Sequence, residues 1–543
     1  MGILRKSVLA IVVLLTAACS QDSAIGSQVT AADLAAMGRL VPADALAVIG
    51  TPSLAELDAA LAGMLGSFGQ QPPDLSAELA SVPGWPGSAE VNRSLPILVA
   101  VRRAQGLAPP PLVFILPIED ADAASNGSAT LSVHVDGRYV GLSDDASYVP
   151  GGVPSPLAES LPAGQLAMRA DVNSLLTPLR PMAELMAPGL GAIQPGVVGG
   201  MNSAAMISAY VRVFFDAIEA TQSVEAAVSF VDGHLIVEGD VDVLAGSMLA
   251  DIPPASCDEL DEMVGWLGDE SAMQMVSALD SRAFAELTKE MMLSASEIWP
   301  STTEDDLLEY LATLQVLSAH CGHVFVGDME FSSDGLDCSY LFEAQDPNGL
   351  VELMTEFMRE GFEFFGGRGA SVETSIEDGW ARSELAVDMT DLIAASATGD
   401  PEVDAAMAEM MLQMYGGDGV IRYTTRASDG RVVLSVGGNE VSAARARPSS
   451  SNGPPPELVE ALERLSGADT RVVMCLDYSR IIASMAGMMA VMPGMETLRP
   501  EALELADPVP LTLWLGGRGT RWSFGFDFAL DAFARMLTNV GPR

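Results

Sequence analysis

Five times along the chain a short apolar run ends on a Thr or Asp that heads a helical pattern, and this recurrence constrains the fold more than any other feature. The first copy runs from Leu40 through Val48 and Ile49 to Thr51, with Ser53 and Glu56 spaced as a capping box ahead of Leu54, Leu57, Leu61 and Leu65. The others end on Asp171, Asp280, Asp388 and Asp477, at intervals of 120, 109, 108 and 89 residues from Thr51 onward. A Thr or Asp oxygen there accepts from the free amides of a helix start, so each position predicts a strand-to-helix junction. Candidate β-hairpins follow, because Asp-Gly supplies the positive φ angles of tight turns. Such pairs stand at Asp232-Gly233, Asp334-Gly335 and Asp429-Gly430 between apolar runs, while Gly516-Gly517-Arg518-Gly519 separates Leu511–Leu515 from Trp522–Phe526.

The expectation is therefore an α+β fold of tandem strand, helix, hairpin, helix units forming layered sheet and helix domains. The units fall at 31–150, 151–255, 256–370, 371–442 (degenerate) and 457–543, with a Pro- and Ser-rich linker at 443–456.

The N-terminus carries Arg5 and Lys6, then an apolar run from Val8 to Leu15, then Ala17, Ala18 and Cys19. Residues 1–18 read as a signal peptide, too short for a permanent span. Leu15-Thr16-Ala17-Ala18-Cys19 resembles the bacterial lipobox, and the resemblance implies acylation of Cys19, a flexible tether at 19–30 and a lipid-bilayer partner. With Ser20 rather than Asp after the cysteine, the outer membrane is the expected address. The Leu40-Val41-Pro42-Ala43-Asp44 opening after such a signal resembles a family of uncharacterised exported bacterial lipoproteins, a resemblance that brings no activity and no site residues.

The formal net charge of −45 excludes nucleic acid as a partner, because phosphates need cations opposite them. Lys289 is the one lysine left after the signal. Gly-x-Ser-x-Gly, His-Glu-x-x-His, phosphate-loop and dinucleotide patterns are all missing, so no catalytic residue and no cofactor is expected.

Cys257, Cys321, Cys338 and Cys475 make an even set for two disulfides in an oxidising compartment. A turn centred on Asp334-Gly335 puts Cys338 opposite Phe331 and far from Cys321, so Cys257 with Cys321 is the preferred pair. Cys338 and Cys475 are then strand thiols, bridged or free. His320-Cys321-Gly322-His323 with Cys338 has ligand types suited to zinc but lacks a second ligand pair, and reads as a helix end joined to a strand start. His134 and His234 flank hairpin turns with no recognisable partner.

Methionine is unusually frequent, with Met407, Met410, Met411 and Met414 on one helical pattern and Met485, Met488, Met489 and Met492 on another. Helical spacing predicts core packing. The competing idea is an adaptable apolar groove lined by Met407, Met411, Met414, Met485, Met488 and Met492. The functional expectation is a cell-envelope lipoprotein with a non-catalytic structural or binding role, partnered by an envelope protein or an apolar ligand. The alternatives are a carrier of a lipid or other apolar ligand and an envelope hydrolase.

Overall fold

A computed structural model describes residues 31–75, 90–103, 110–119, 131–159, 164–193, 203–268, 271–294, 304–332, 335–364, 370–388, 420–437, 453–489 and 507–540, with a few isolated positions between them. Cys19, its tether, Met407, Met411, Met414, Met492 and most of the 443–456 linker lie outside the described residues.

The chain begins with α1 (Ala31–Leu40), β1 (Ala45–Thr51), α2 (Leu54–Ser67), β2 (Ile97–Arg102), β3 (Leu112–Pro117), β4 (Ser132–Asp136) and β5 (Tyr139–Ser143). It continues through α3 (Pro156–Glu159), β6 (Leu166–Ala170), α4 (Val172–Leu176), α5 (Arg180–Ile193), α6 (Ser203–Glu219), β7 (Thr221–Val231) and β8 (His234–Val243). Next come α7 (Leu260–Val264), β9 (Met273–Ala278), α8 (Ser281–Ser294), α9 (Glu304–Ser318), β10 (Cys321–Ser332), β11 (Gly335–Ala344) and α10 (Pro347–Phe364). Then follow β12 (Ser371–Glu377), β13 (Trp380–Asp388), β14 (Val420–Ser428) and β15 (Arg431–Gly437). The last elements are α11 (Pro456–Arg464), β16 (Thr470–Asp477), α12 (Tyr478–Met489), β17 (Pro510–Arg518), β18 (Arg521–Phe528) and α13 (Leu530–Val540). The fold mixes α and β and is dominated by antiparallel sheet.

Two compact units divide the chain. One holds residues up to Pro178 with Ile218–Leu244 and Ser523–Arg535, and the other holds Leu179–Ala217, Ala245–Trp522 and Met536–Arg543. In the first, the strands pair in the order β4, β5, β3, β2, β1, β6, β7, β8. Every residue of β2 is buried, because its run Ile97-Leu98-Val99-Ala100-Val101 is covered on both faces. Met37, Leu40 and Val41 lie over Leu98 and Ala100, while Leu54 lies with Ile97 and Leu116.

In the second unit the order is β17, β16, β9, β10, β11, β15, β14, β13, β12. The strand ahead of each long connection pairs with the first hairpin strand after it, as β1 with β2, β6 with β7, β9 with β10, β13 with β14 and β16 with β17.

The caps follow local chemistry. Asp171 accepts from Ser174 N and Asp280 from Ala283 N, each at 2.9 Å. At the first junction Ser53 is the cap, accepting from Glu56 N at 3.1 Å, whereas Thr51 donates to Ser53 O. The residues after Asp388 lie outside the described set.

Three hairpin expectations need correction. The β10/β11 register centres one residue earlier than Asp334-Gly335, so Gly335 pairs with Ser332, and Cys338 faces Met329 rather than Phe331. Gly516 and Gly517 are strand residues of β17 rather than the turn, because the ring of Trp522 and the Leu465 side chain occupy the space a Cβ would need there. The fourth unit's strand ending on Asp388 is not a lone lead strand but forms part of the second strand of the β12/β13 hairpin, turned at Asp378 and Gly379 with φ of 51° and 87°. Asp232 and Gly233 adopt the same geometry between Val231 and His234, as expected of a two-residue turn.

Candidate functional site

Residues directly opposed in an antiparallel ladder project to the same face, so the pairing registers lay out the surface of the second unit's sheet. Leu511, Leu476, Met273, Met329 and Cys338 form one row across β17, β16, β9, β10 and β11. Two residues along, Leu513, Met474, Met275, Gly327 and Tyr340 form a second, which continues to Leu434 on β15. Leu515, Val472, Ser277, Phe325 and Phe342 form a third. The face is thus almost wholly apolar.

Its two ends differ in cover. Over β11, β15 and β14, α10 lays Leu350, Val351 and Met354 on Val432, Leu434 and Ala427, and Leu317 of α9 joins them. Phe325 and Phe342 stack at 5.6 Å, and the Tyr340 ring fills the space left by Gly327. At the other end Leu513 and Leu515 are 37% and 42% exposed, and Met273, Met275, Val472, Met474 and Leu476 are only half-buried.

The reverse face of these same strands is closed. Gln274, Val276, Val473, Cys475, Thr512 and Trp514 are buried there, with Arg464 of α11 over the Trp514 ring at 5.1 Å. A polar row crosses this side: Thr512, Cys475, Gln274, Asp328, Ser339, Ser435 and Thr424 stand opposite one another. Thr512 donates to Cys475 Sγ, Gln274 Nε2 to Gly268 O, and Ser271 Oγ to Asp328 at 3.1 Å. Gln274 Oε1 and Thr424 Oγ1 are buried with no hydrogen-bond partner.

None of Cys257, Cys321, Cys338 and Cys475 is joined in a disulfide, which corrects the expected Cys257–Cys321 bridge. Cys257 sits before α7 in the field of Arg471 and Asp469, with burial raising its pKa, whereas burial pushes Cys321 up to about 11. Cys338 is likewise pushed up to about 11 by burial, opposed by a hydrogen bond with Tyr340. Cys338 and Cys475 project from opposite faces of the sheet.

The His320–His323 segment does not assemble a metal centre with Cys338, since Cys321 pairs with Ala344, six residues further along β11. Among the described residues no cluster of three metal-ligating side chains occurs. His323 Nδ1 accepts from Ser256 N at 3.0 Å, and its Nε2 lies 3.8 Å from Asp280.

His134 and His234 do have partners, contrary to expectation. His134 lies 3.2 Å from Tyr148 O, and His234 lies 2.7 Å from Asp527 Oδ1. Lys289 pairs with Glu286 at 3.9 Å. Met485 and Met488 lie on α12, whose side chains at those positions are outside the described residues. On the open end of the sheet face the structure places other methionines, Met273, Met275 and Met474, on strands. Their signal is the alternation Met273-Gln274-Met275 and Val472-Val473-Met474, which becomes informative once the neighbouring strand is known.

No protein-family model matches the chain, and no curated protein matches it. Among solved structures, crystal forms I and IV of TP0453 align with 54% of this chain and with 99% and 100% of their own, at 8% and 9% identity. Their TM-scores of 0.24 and 0.25 carry no argument about fold or activity.

Proposed function

We propose that this chain is a lipid-anchored protein of the bacterial cell envelope, held at the outer membrane through an acylated Cys19, with a non-catalytic binding role. Its ligand is apolar, an acyl chain or similar, received on the open end of the sheet face in the second unit. The observation that carries this reading is the exposure of Leu513 and Leu515 beside Met474 and Met275, at the end of a face that α10 closes elsewhere. Burying the rest of each leucine contributes about 1 kcal/mol, and thioethers adapt to ligands of varied shape. We further read the recurring strand, helix and hairpin order as duplication of one unit, which the pairing of β1 with β6 and of β9 with β16, each the lead strand of its segment, supports.

Two measurements test the reading. Metabolic labelling with palmitate marks the wild-type chain and is lost in Cys19→Ser; a wild-type chain without label removes the anchor. Cis-parinaric acid binds the Cys19→Ser chain saturably, and binding falls at least 10-fold in Leu513→Glu/Leu515→Glu. Equal binding by both proteins removes the site.

A further inference from the structure

Apart from Ile376, the most exposed large apolar side chains among the described residues of the second unit belong to α5 and α6. Leu185 is 81% exposed, Met186 54% and Met182 45%, spaced i, i+3, i+4 on one face of α5. On α6, Tyr210 and Phe214 are 66% and 56% exposed, one turn apart. Charge is confined to one end of this pair. Arg180 at the start of α5 pairs with Glu184 at 2.8 Å and with Asp216, near the end of α6, at 2.9 Å. That ion pair joins the start of one helix to the end of the other. Arg212 and Glu219 lie at the same end, and the sequence carries no charged residue between Glu184 and Arg212.

We propose that α5 and α6 dock the protein on a lipid bilayer, laying the exposed Leu185, Met186 and Tyr210 against the acyl chains and keeping the Arg180–Asp216 ion pair at the headgroups. Among the described residues no helix is long and apolar enough to cross a membrane, so the mode is interfacial. Tyr210 carries a hydroxyl that suits the headgroup boundary.

The occupant is a bilayer rather than a second copy because of the tether. Between Cys19 and the start of α1 at Ala31 the chain reaches at most about 40 Å. A body so held stays beside the membrane and is free to turn any face toward it. A formal charge of −45 also sets one copy against another, whereas an uncharged helical end meets a zwitterionic surface without that opposition.

The inference rests on the proposed anchor only for bringing the body to the bilayer, so its test omits the lipid. Cys19→Ser protein is floated with phosphatidylcholine vesicles. The unlipidated chain is expected to float, and Leu185→Glu/Tyr210→Glu to lower the floating fraction at least 10-fold. Leu185→Met retains it, and Leu513→Glu/Leu515→Glu leaves it unchanged. Both glutamates replace exposed groups, and an unaltered urea midpoint shows that the fold is kept. Trp at Met186→Trp, quenched by brominated acyl chains, reports insertion. The proposal is overturned if the unlipidated chain stays at the bottom of the gradient, if the glutamate variant floats equally, or if sedimentation without vesicles shows a dimer that Leu185→Glu dissolves, which would make this face an interface between copies.

Discussion

Leu434 and Leu513 stand in one cross-strand row of one sheet face; the first is 9% exposed beneath α10 and the second 37% exposed at the row's far end. The residues are alike and their strands are both regular, so the difference lies in what the rest of the chain brings over them. At the β11, β15 and β14 end, α10 supplies a stripe of Leu350, Val351, Met354 and Phe357 that interlocks with the sheet. At the β17 and β16 end, α11 spends its apolar stripe on the reverse face, where Leu458, Ala461 and Leu465 are buried. Covering one end contributes to stability, and leaving the other open supplies a surface.

The sharpest test of that contrast is a pair of deletions. Leu350→Ala removes a fully buried side chain and is expected to cost about 3 kcal/mol in urea unfolding. A loss under about 1 kcal/mol would show that α10 is loosely seated and that the two ends do not differ.

The covered end also holds a weakness. Thr425 is 0% exposed and its Oγ1 has no partner, and Ser383, directly opposite, is in the same condition. Thr425→Val is therefore expected to raise stability by about 1 kcal/mol, since an apolar isostere removes an uncompensated desolvation. A loss of similar size would mean that the hydroxyl is paired in solution.

Thiol titration gives a graded probe of the closed regions. Cys321 and Cys338 are pushed up to about 11 by burial, so the folded state holds their protons where the unfolded chain, at about 8.5, releases them. Their contribution is full below about pH 8.5 and is lost as pH rises toward 11. Urea midpoints are expected to fall across that window and to fall less in Cys321→Ala/Cys338→Ala; a flat profile in the parent chain would contradict the burial. At pH 8 neither thiol should be alkylated by iodoacetamide before unfolding. The smallest effect belongs to the open end, where Leu513→Ala should change stability by only about 0.5 kcal/mol. A cost near that of Leu350→Ala would erase the comparison.

Much of the local structure was legible. The Asp232-Gly233 hairpin, the Asp171 and Asp280 caps and the strand-to-helix order all follow from chemistry within a few residues. The β12/β13 hairpin carries the same kind of signal in Asp378-Gly379, which the repeat pattern, taking Ser383–Asp388 as a lone leading strand, does not use. The β10/β11 register is centred one position earlier than Asp334-Gly335, since Asp-Gly marks where a turn can form without fixing which residues pair across it. The methionine helices drew the search for a groove, whereas the methionines on the open face are scattered over β9 and β16, far apart in sequence.

By itself, then, the sequence determined the Asp232-Gly233 and Asp429-Gly430 turns, the Asp171 and Asp280 caps and an α and β composition with antiparallel strands. It also set the expectation of an acylated Cys19, because turns, caps and processing motifs are read over a few neighbouring residues. Only the tertiary structure decided which apolar surface is closed and which is left open. Along Pro510–Arg518 the more apolar face, Leu511, Leu513 and Leu515, is the less buried one, so burial there depends on helices delivered from elsewhere in the chain, as α11 is to the Thr512 and Trp514 face; among the described residues Leu513 and Leu515 stay exposed.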